Sequence, residues 1–285
     1  MGAVRARRGA GGRGPLVTLT SDLGATYAAQ VKGVVLRRAP TATLIDLTQE
    51  LPAHRIAEGA FILRHATAPF AAGAIHLAIV DPGVGSPRAA IAVRCRDGTV
   101  FLGPDNGLVV EAAADRGIDR SVRIDPARHA PSDRVGATFD GRDLFAPAAA
   151  HLANGGAFAA LGPAIVPRTI QRPPPVRDAD RLRGHVAHID RFGNLVTDLP
   201  SAWLPTGIER LAVRIGRRRA AAVRRIRAYA DLPRGPGLGL LPSSFGTVEV
   251  CRREGSAATR TGGRVGASVT VTWPERRRRR RKERK

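Results

Sequence analysis

The sequence predicts an α/β domain with a mainly parallel central sheet, followed by a smaller all-β, barrel-like domain. Three observations predict it. In the first half, near-continuous apolar runs of strand length alternate with helix-length segments, the pattern of a parallel sheet covered on both faces. Residues 162–175 then hold Pro163, Pro167, Pro173, Pro174 and Pro175, a density that continues neither a helix nor a central strand. Beyond it, short alternating or apolar runs recur between glycines and prolines, the pattern of a β domain.

The elements follow in order. LVTLT (16–20) reads as a buried strand, SDLG as a turn and YAAQVKGVVLRRA (27–39) as a helix. TLIDL (43–47) is a short apolar run, RIAEGAFILRHATA (55–68) a helix and AIHLAIV (74–80) a buried strand. AAIAVRC (89–95) and TVFLG (99–103) read as strands joined by an Arg-Asp-Gly turn, a strong hairpin signal. LVVEAAADRG (108–117) and LFAPAAAHLANGG (144–156) are helices that glycines stop. In the second half the strands are HVAHIDRF (185–192), NLVTDL (194–199), RLAVRI (210–215), TVEVCRR (247–253) and SVTVTW (268–273). The organisation read from this is a basic flexible tail at 1–14, an α/β domain at 15–165 and a Pro-rich linker at 166–182. A barrel-like domain at 183–274 and an Arg-rich tail at 275–285 complete it.

The 285 residues are 43% hydrophobic but only 4% aromatic, so aliphatic residues and alanine must build the core. Two cysteines, Cys95 and Cys251, exclude a disulfide scaffold and a Cys-based zinc site; they read as buried thiols in a cytoplasmic protein. No run of about 18 uncharged apolar residues exists, so no membrane span is expected. The N-terminus lacks the apolar stretch of a secretory signal. Net charge is +22, of which residues 1–13 carry +4 and residues 275–285 carry +7. The run Arg276–Arg281 is either a solvated, self-repelling tail or a patch for non-specific nucleic-acid contact.

The chemistry concentrates in a few turns. Asp22 follows the first strand and Asp81 the strand 74–80; in a parallel sheet the carboxyl ends of strands share the edge where ligands bind. The pair suits a ribose diol or a catalytic role, or else caps turns. In VDPGVGSPR (80–88), Pro82, Gly83 and Gly85 tighten a loop that places Arg88 near Asp81. That pair is either a structural ion pair or an oriented carboxylate that holds a water. Asp140, Arg142 and Asp143 open the helix of TFDGRDLFAP (138–147), where an acid is often only a cap. Asp190 and Asn194, around an aromatic-glycine turn, make a donor–acceptor set for a ribose or an amino-acid head group.

Taken in order, TSDLG (20–24), KGVV (32–35), VDPGVGSPR (80–88), GPDNGL (103–108), DGRDLFAP (140–147), IDRFGNLVTDL (189–199) and SSFGTVEV (243–250) with GSAA (255–258) resemble the family of S-adenosylmethionine hydrolases and halogenases. The resemblance spans about residues 16–273. It implies an α/β domain joined to a barrel-like domain, a homotrimer, and an active site where one subunit's first domain meets its neighbour's second. It implies attack at C5′ of the ribose with methionine leaving, and no metal or redox cofactor. It implies catalytic roles for Asp81, Arg88 and Asp140, ribose binding by Asp22, and methionine binding by Asp190 and Asn194. Ser243, Ser244, Phe245 and Ala257 would flank the adenine. Asp81 and Val84 stand where the halogenases have an aromatic residue and a halide pocket, so hydrolysis leads. Family hydrolases have histidine where this chain has Asp140, and the loop between Asp22 and Lys32 is two residues shorter, without the acid that holds the substrate amino group. His129 and His151 read as surface residues rather than substitutes for that imidazole. A binding protein of the same fold that has lost turnover is the alternative.

Overall fold

A computed structural model describes residues 14–134 and 136–274; both predicted tails lie almost wholly outside them, so the arginine run is not placed. The chain divides into two compact units, Met1–Ile170 and Gln171–Lys285.

The first unit is built on a six-stranded sheet: β1 (Leu16–Ser21), β2 (Thr43–Thr48), β3 (Ile75–Ile79), β4 (Ala90–Cys95), β5 (Val100–Pro104) and β6 (Ile118–Arg123), in the order β2-β1-β3-β5-β4-β6. The β2-β1-β3-β5 part is parallel, and β4 pairs antiparallel with β5 and β6. The Asp97-Gly98 turn makes the predicted hairpin between β4 and β5, with the Asp97 carboxylate accepting from the Thr99 amide at 3.0 Å. β6 was not legible, because Asp119, Arg120 and Arg123 break the apolar run; the strand lies at the sheet edge, where such residues meet water.

Helices cover both faces. α1 (Gly24–Arg38) presents Ala28, Val31 and Val35 at helical spacing to Val17, Leu19, Ile75 and Leu77, and packs beside α5 (Ala146–Ala153). α2 (Ile56–Thr67) and α3 (Val110–Asp115) cover the other face, where Ala60, Leu63, Ile91, Val93, Phe101 and Leu108 meet. Cys95 is buried there, and burial pushes its thiol up to about 11, so it behaves as a small hydrophobe. No helix among the described residues is long and apolar enough to cross a membrane.

One buried polar group has a pH consequence. His76 on β3 lies against the Phe101 ring at 4.8 Å and edge-on to Phe70 at 5.7 Å. Its Nδ1 is 2.8 Å from Thr18 Oγ1, while its Nε2 has no partner. Burial, helped by the Arg116 charge, pushes its pKa from 6.5 down to about 4. The folded chain therefore holds fewer protons than the unfolded chain between those values, and stability falls as pH falls through that window. Lowering pH from 7 to 5 is expected to cost the first unit about 2 kcal/mol from this residue. Urea titrations at both pH values check it; His76→Leu should flatten the dependence by that amount.

The second unit holds β7 (Val176–Arg177), inside the Pro-rich segment, then β8 (Arg181–Ile189), β9 (Leu195–Pro200), β10 (Arg210–Ile215), β11 (Ala221–Arg225), β12 (Leu238–Pro242), β13 (Thr247–Cys251), α6 (Ala257–Thr261) and β14 (Ser268–Thr272). The order β14-β10-β11-β12-β13-β9-β8 closes on itself through β14–β8 pairing, giving a seven-stranded barrel. Its interior holds Leu182, Val186, Leu195, Leu199, Val213, Leu240, Val248, Val250, Val269 and Val271. β11 and β12 were not predicted. The arginines of AAVRR and the glycines and prolines of PRGPGLGLLP obscure them. A Cβ on Gly239 in β12 would lie 2.6 Å from Ile226 Cδ1, so a larger residue there makes the Ile226 side chain shift. Cys251 is buried, and burial pushes its thiol up to about 12.

Candidate active site

β1 and β3 are parallel neighbours with Ser21 opposite Ile79, so Asp22 and Asp81 leave the sheet together at its carboxyl edge. The Asp22 amide donates to the Ile79 carbonyl at 3.3 Å. β5 ends at the same edge, and the Asn106 side chain donates back to the Val80 carbonyl at 2.9 Å, fixing the end of β3. The loop after Asp81 is a pair of overlapping turns, with Val84 N on Asp81 O at 3.2 Å and Ser86 N on Gly83 O at 3.0 Å. Gly85 takes a φ of 81°. A Cβ on Gly83 would sit 3.3 Å from Arg88 Cγ and 3.7 Å from Asp81 Oδ1. The glycine thus leaves the space in which the loop folds Arg88 onto Asp81.

That pair is a two-pronged ion pair. Arg88 Nε donates to Asp81 Oδ1 at 2.8 Å, and Arg88 Nη2 donates to Oδ2. The same Nη2 reaches Asp140 Oδ2 at 2.5 Å, and the guanidinium lies over the Phe145 ring at 5.6 Å. Side-chain exposures of 9% for Arg88, 7% for Asp81 and 12% for Asp140 make this a desolvated cluster, in which pairing matters far more than at the surface. Burial pushes the Asp81 carboxyl above its ordinary pKa. The Arg88 hydrogen bond and charge oppose the rise, the Asp140 charge adds to it, and a hydrogen bond from the Gly83 amide opposes it.

Asp140 opens a π turn, Gly141–Phe145, that runs on into α5; the sequence predicted an ordinary helix start here. Such wide turns recur at functional sites. Asp140 does not cap it: its Oδ1 accepts from Arg134 Nη2, its Oδ2 from Arg88. Asp143 instead pairs with Arg142, Nε to Oδ1 at 2.6 Å, and Arg142 lies over the Phe139 ring. Arg134 carried no signal in the sequence, because nothing in APSDRVGA marks that arginine for a carboxylate six residues on.

Asp22, Asp81 and Asp140 share the wall of one cavity of about 290 Å³ with Tyr27, His54, Val84 and Phe139. Asp22 Oδ2 accepts from the His54 amide at 3.0 Å. A second cavity, of about 200 Å³, is lined by Arg88, Arg123, Arg134 and Asp140. His129 and His151 lie away from both cavities, with their rings 5.4 Å apart. The surface reading of His129 is corrected: it is buried, because the short helix Pro126–His129 turns it toward the Ala160 carbonyl.

In the second unit, Asp190, Asn194, Ser243, Ser244 and Phe245 line one cavity of about 670 Å³. Asp190 Oδ1 accepts from the Phe192 and Asn194 amides at 2.9 and 2.8 Å, and Oδ2 accepts from Asn194 Nδ2 at 2.9 Å. Ser243 Oγ holds Phe245 N at 3.2 Å. Ala257 is not on this wall; it is fully buried in the barrel interior, at the start of α6. The sequence reading missed Glu249 and Tyr229 here, whose Oε1 and hydroxyl are 2.7 Å apart. Burial and the Asp190 charge push Glu249 up, against the Tyr229 hydrogen bond. A glutamate between valines on a barrel strand reads as an outward, solvated position, so no signal marked it. Among the described residues the non-glycines with positive φ are His54 and Glu254, one on the wall of each cavity.

Known proteins resemble this chain over both of its units. The (R)-S-adenosyl-L-methionine hydrolase of Salinispora tropica is 38% identical over 263 residues, spanning 90% of this chain and 98% of that protein. A fluorinase of Nocardia brasiliensis is 26% identical over 235 residues, spanning 72% of this chain and 76% of that one. The crystal structure of an uncharacterized conserved protein from Thermotoga maritima superposes with a TM-score of 0.84 at 28% identity, over 90% of this chain and 100% of that one. The SAM hydroxide adenosyltransferase N-terminal domain matches residues 17–162 and its C-terminal domain residues 184–270. With both domains present in order, the chain belongs to the SAM hydroxide adenosyltransferase family.

Proposed function

We propose that this protein hydrolyses S-adenosylmethionine to adenosine and methionine. The observation that carries the reading is Asp81, held by both prongs of Arg88 at the wall of the cavity it shares with Asp22. In the proposed step a water oxygen bonds to C5′ of the ribose while the C5′–S bond breaks, and its electron pair stays on sulfur as the neutral thioether of methionine. Asp81 orients the water and accepts its proton, then releases it to solvent. A carboxyl whose pKa lies above the ordinary value is the better base for this. The sulfonium is already a good leaving group, so orientation and desolvation of water carry the catalysis without a cofactor. Asp140 acts through Arg88, whose Nη2 it shares with Asp81.

Substrate-binding roles follow the family pattern: Asp22 for the ribose hydroxyls, Asp190 and Asn194 for the methionine head group, and Ser243, Ser244 and Phe245 beside the adenine. Halide transfer is disfavoured, because the Asp81 carboxylate stands on the cavity wall and Val84 beside it offers no hydroxyl to a halide. The proposed assembly is a cytoplasmic homotrimer; light scattering should give three times the chain mass of 30.2 kDa, and a monomer would overturn that assembly.

The test is incubation of the purified chain with S-adenosylmethionine, following adenosine and methionine by chromatography. Stoichiometric release of both supports the reading. Calorimetric binding of S-adenosylmethionine with no adenosine above the enzyme-free rate would overturn it in favour of a binding protein.

A further inference from the structure

Four buried or half-buried charges of the first unit form an alternating row: Asp81, Arg88, Asp140, Arg134. Three of them touch the roles assigned above. The fourth does not: Arg134 lines the smaller cavity behind Asp140 and is absent from the wall that Asp22 and Asp81 share. Its Nη2 donates to Asp140 Oδ1, its Nε donates to the Gly136 carbonyl at 2.9 Å, and Asp143 Oδ2 lies 3.8 Å from that Nε.

The charges explain what it does. With all four groups ionised the row is neutral. Without Arg134 it is two carboxylates sharing one guanidinium, and Arg88 Nη2 already bridges both. An Asp140 carboxylate left at 12% exposure with one oxygen unpaired would draw Arg88 toward itself and away from Asp81.

We propose that Arg134 is a positioning residue of this site: it holds Asp140 so that the Arg88 fork stays on Asp81. The inference rests on the reading of Asp81 as the water-orienting group. Among the described residues, the charged and titratable groups around Asp81 are Arg88 on its own loop, Asp140 at the π turn, and Asp22, Tyr27 and His54 on the cavity wall. Of the groups next in line, Arg134 pairs with Asp140, and Arg142 is committed to Asp143.

The test is a pH titration of the Asp81 carboxyl carbon by NMR of ¹³C-aspartate-labelled full-length protein, assigned with Asp81→Asn, beside the pH profile of kcat. In Arg134→Gln the Asp81 midpoint is expected to rise by about one pH unit, as a like charge loses its counter-ion. At a pH below that midpoint kcat should fall about tenfold, recover at alkaline pH, and leave KM within about twofold. Arg134→Lys, which keeps the charge, should retain the wild-type midpoint. Asp140→Asn should lower it, and the double substitution Arg134→Gln with Asp140→Asn should bring it back. An unchanged midpoint in a folded Arg134→Gln protein would overturn the proposal, as would a loss of kcat equal at every pH. If Arg134→Gln fails to fold, the Asp140→Asn and double variants decide by the same midpoints. The NMR titration needs no turnover. No adenosine release by the wild type, with the shifted midpoint still seen in Arg134→Gln, refutes the hydrolase reading and leaves standing only the hold of Arg134 on the Asp81–Arg88 pair.

Discussion

Asp81→Asn is expected to lower kcat for adenosine release about a thousandfold while KM changes little, the size expected for removal of a general base. The side chains are nearly the same size, so the loop turns at Gly83 and Gly85 stay in place. What changes is polarity. Asp81 offers two acceptor oxygens to Arg88 Nε and Nη2, whereas asparagine must turn one NH₂ donor toward a donor. The water loses the acceptor that orients it, and the site gains a net positive charge. Asp22, Asp190 and Asn194 are untouched, so binding persists and the loss falls on the chemical step. Steady-state chromatography of adenosine at saturating substrate checks it; a kcat within about tenfold of wild type would remove Asp81 from the reaction.

Arg88→Met is the second large effect, and it reads out in stability as well as rate. Removing the guanidinium leaves Asp81 and Asp140, both nearly buried, facing one another with only Arg134 in reach. Breaking a buried pair in this way costs about 3 kcal/mol at neutral pH. The sign of its pH dependence follows from the carboxyls. The Asp81 pKa, already raised by burial, rises further in the folded variant than in its unfolded chain. The folded variant then takes up protons first as pH falls, so the destabilisation relative to wild type shrinks toward acid. The His76 effect is common to both proteins and cancels. Urea unfolding of wild type and variant at pH 7 and pH 5 measures it; a difference that grows toward acid would contradict the buried-pair account.

Much of the fold was legible because burial on both faces leaves an unambiguous trace. AIHLAIV has no polar alternation, and a strand of that kind is a central parallel strand. The strands that escaped notice lie where composition and environment disagree: β6 with its charges at an open edge, β11 among arginines, β12 among glycines and prolines. The site was legible to the same extent. Asp22, Asp81 and Arg88 were found because strand ends and tight glycine turns are local features. His129 was misjudged because the burial of an imidazole depends on what packs over it.

The sequence by itself determined the buried strands and the main helices of the first unit, the turns that carry Asp22 and Asp81, and the loop that folds Arg88 back; each depends on residues a few positions apart. Only the tertiary structure decided that Asp140 lies between Arg88 and Arg134, that Glu249 faces a cavity beside Tyr229, and that His76 is sealed among aromatic rings. Those are matters of dielectric and pairing. A side chain's charge is written in the sequence, but its energy is set by the neighbours that exclude water from it.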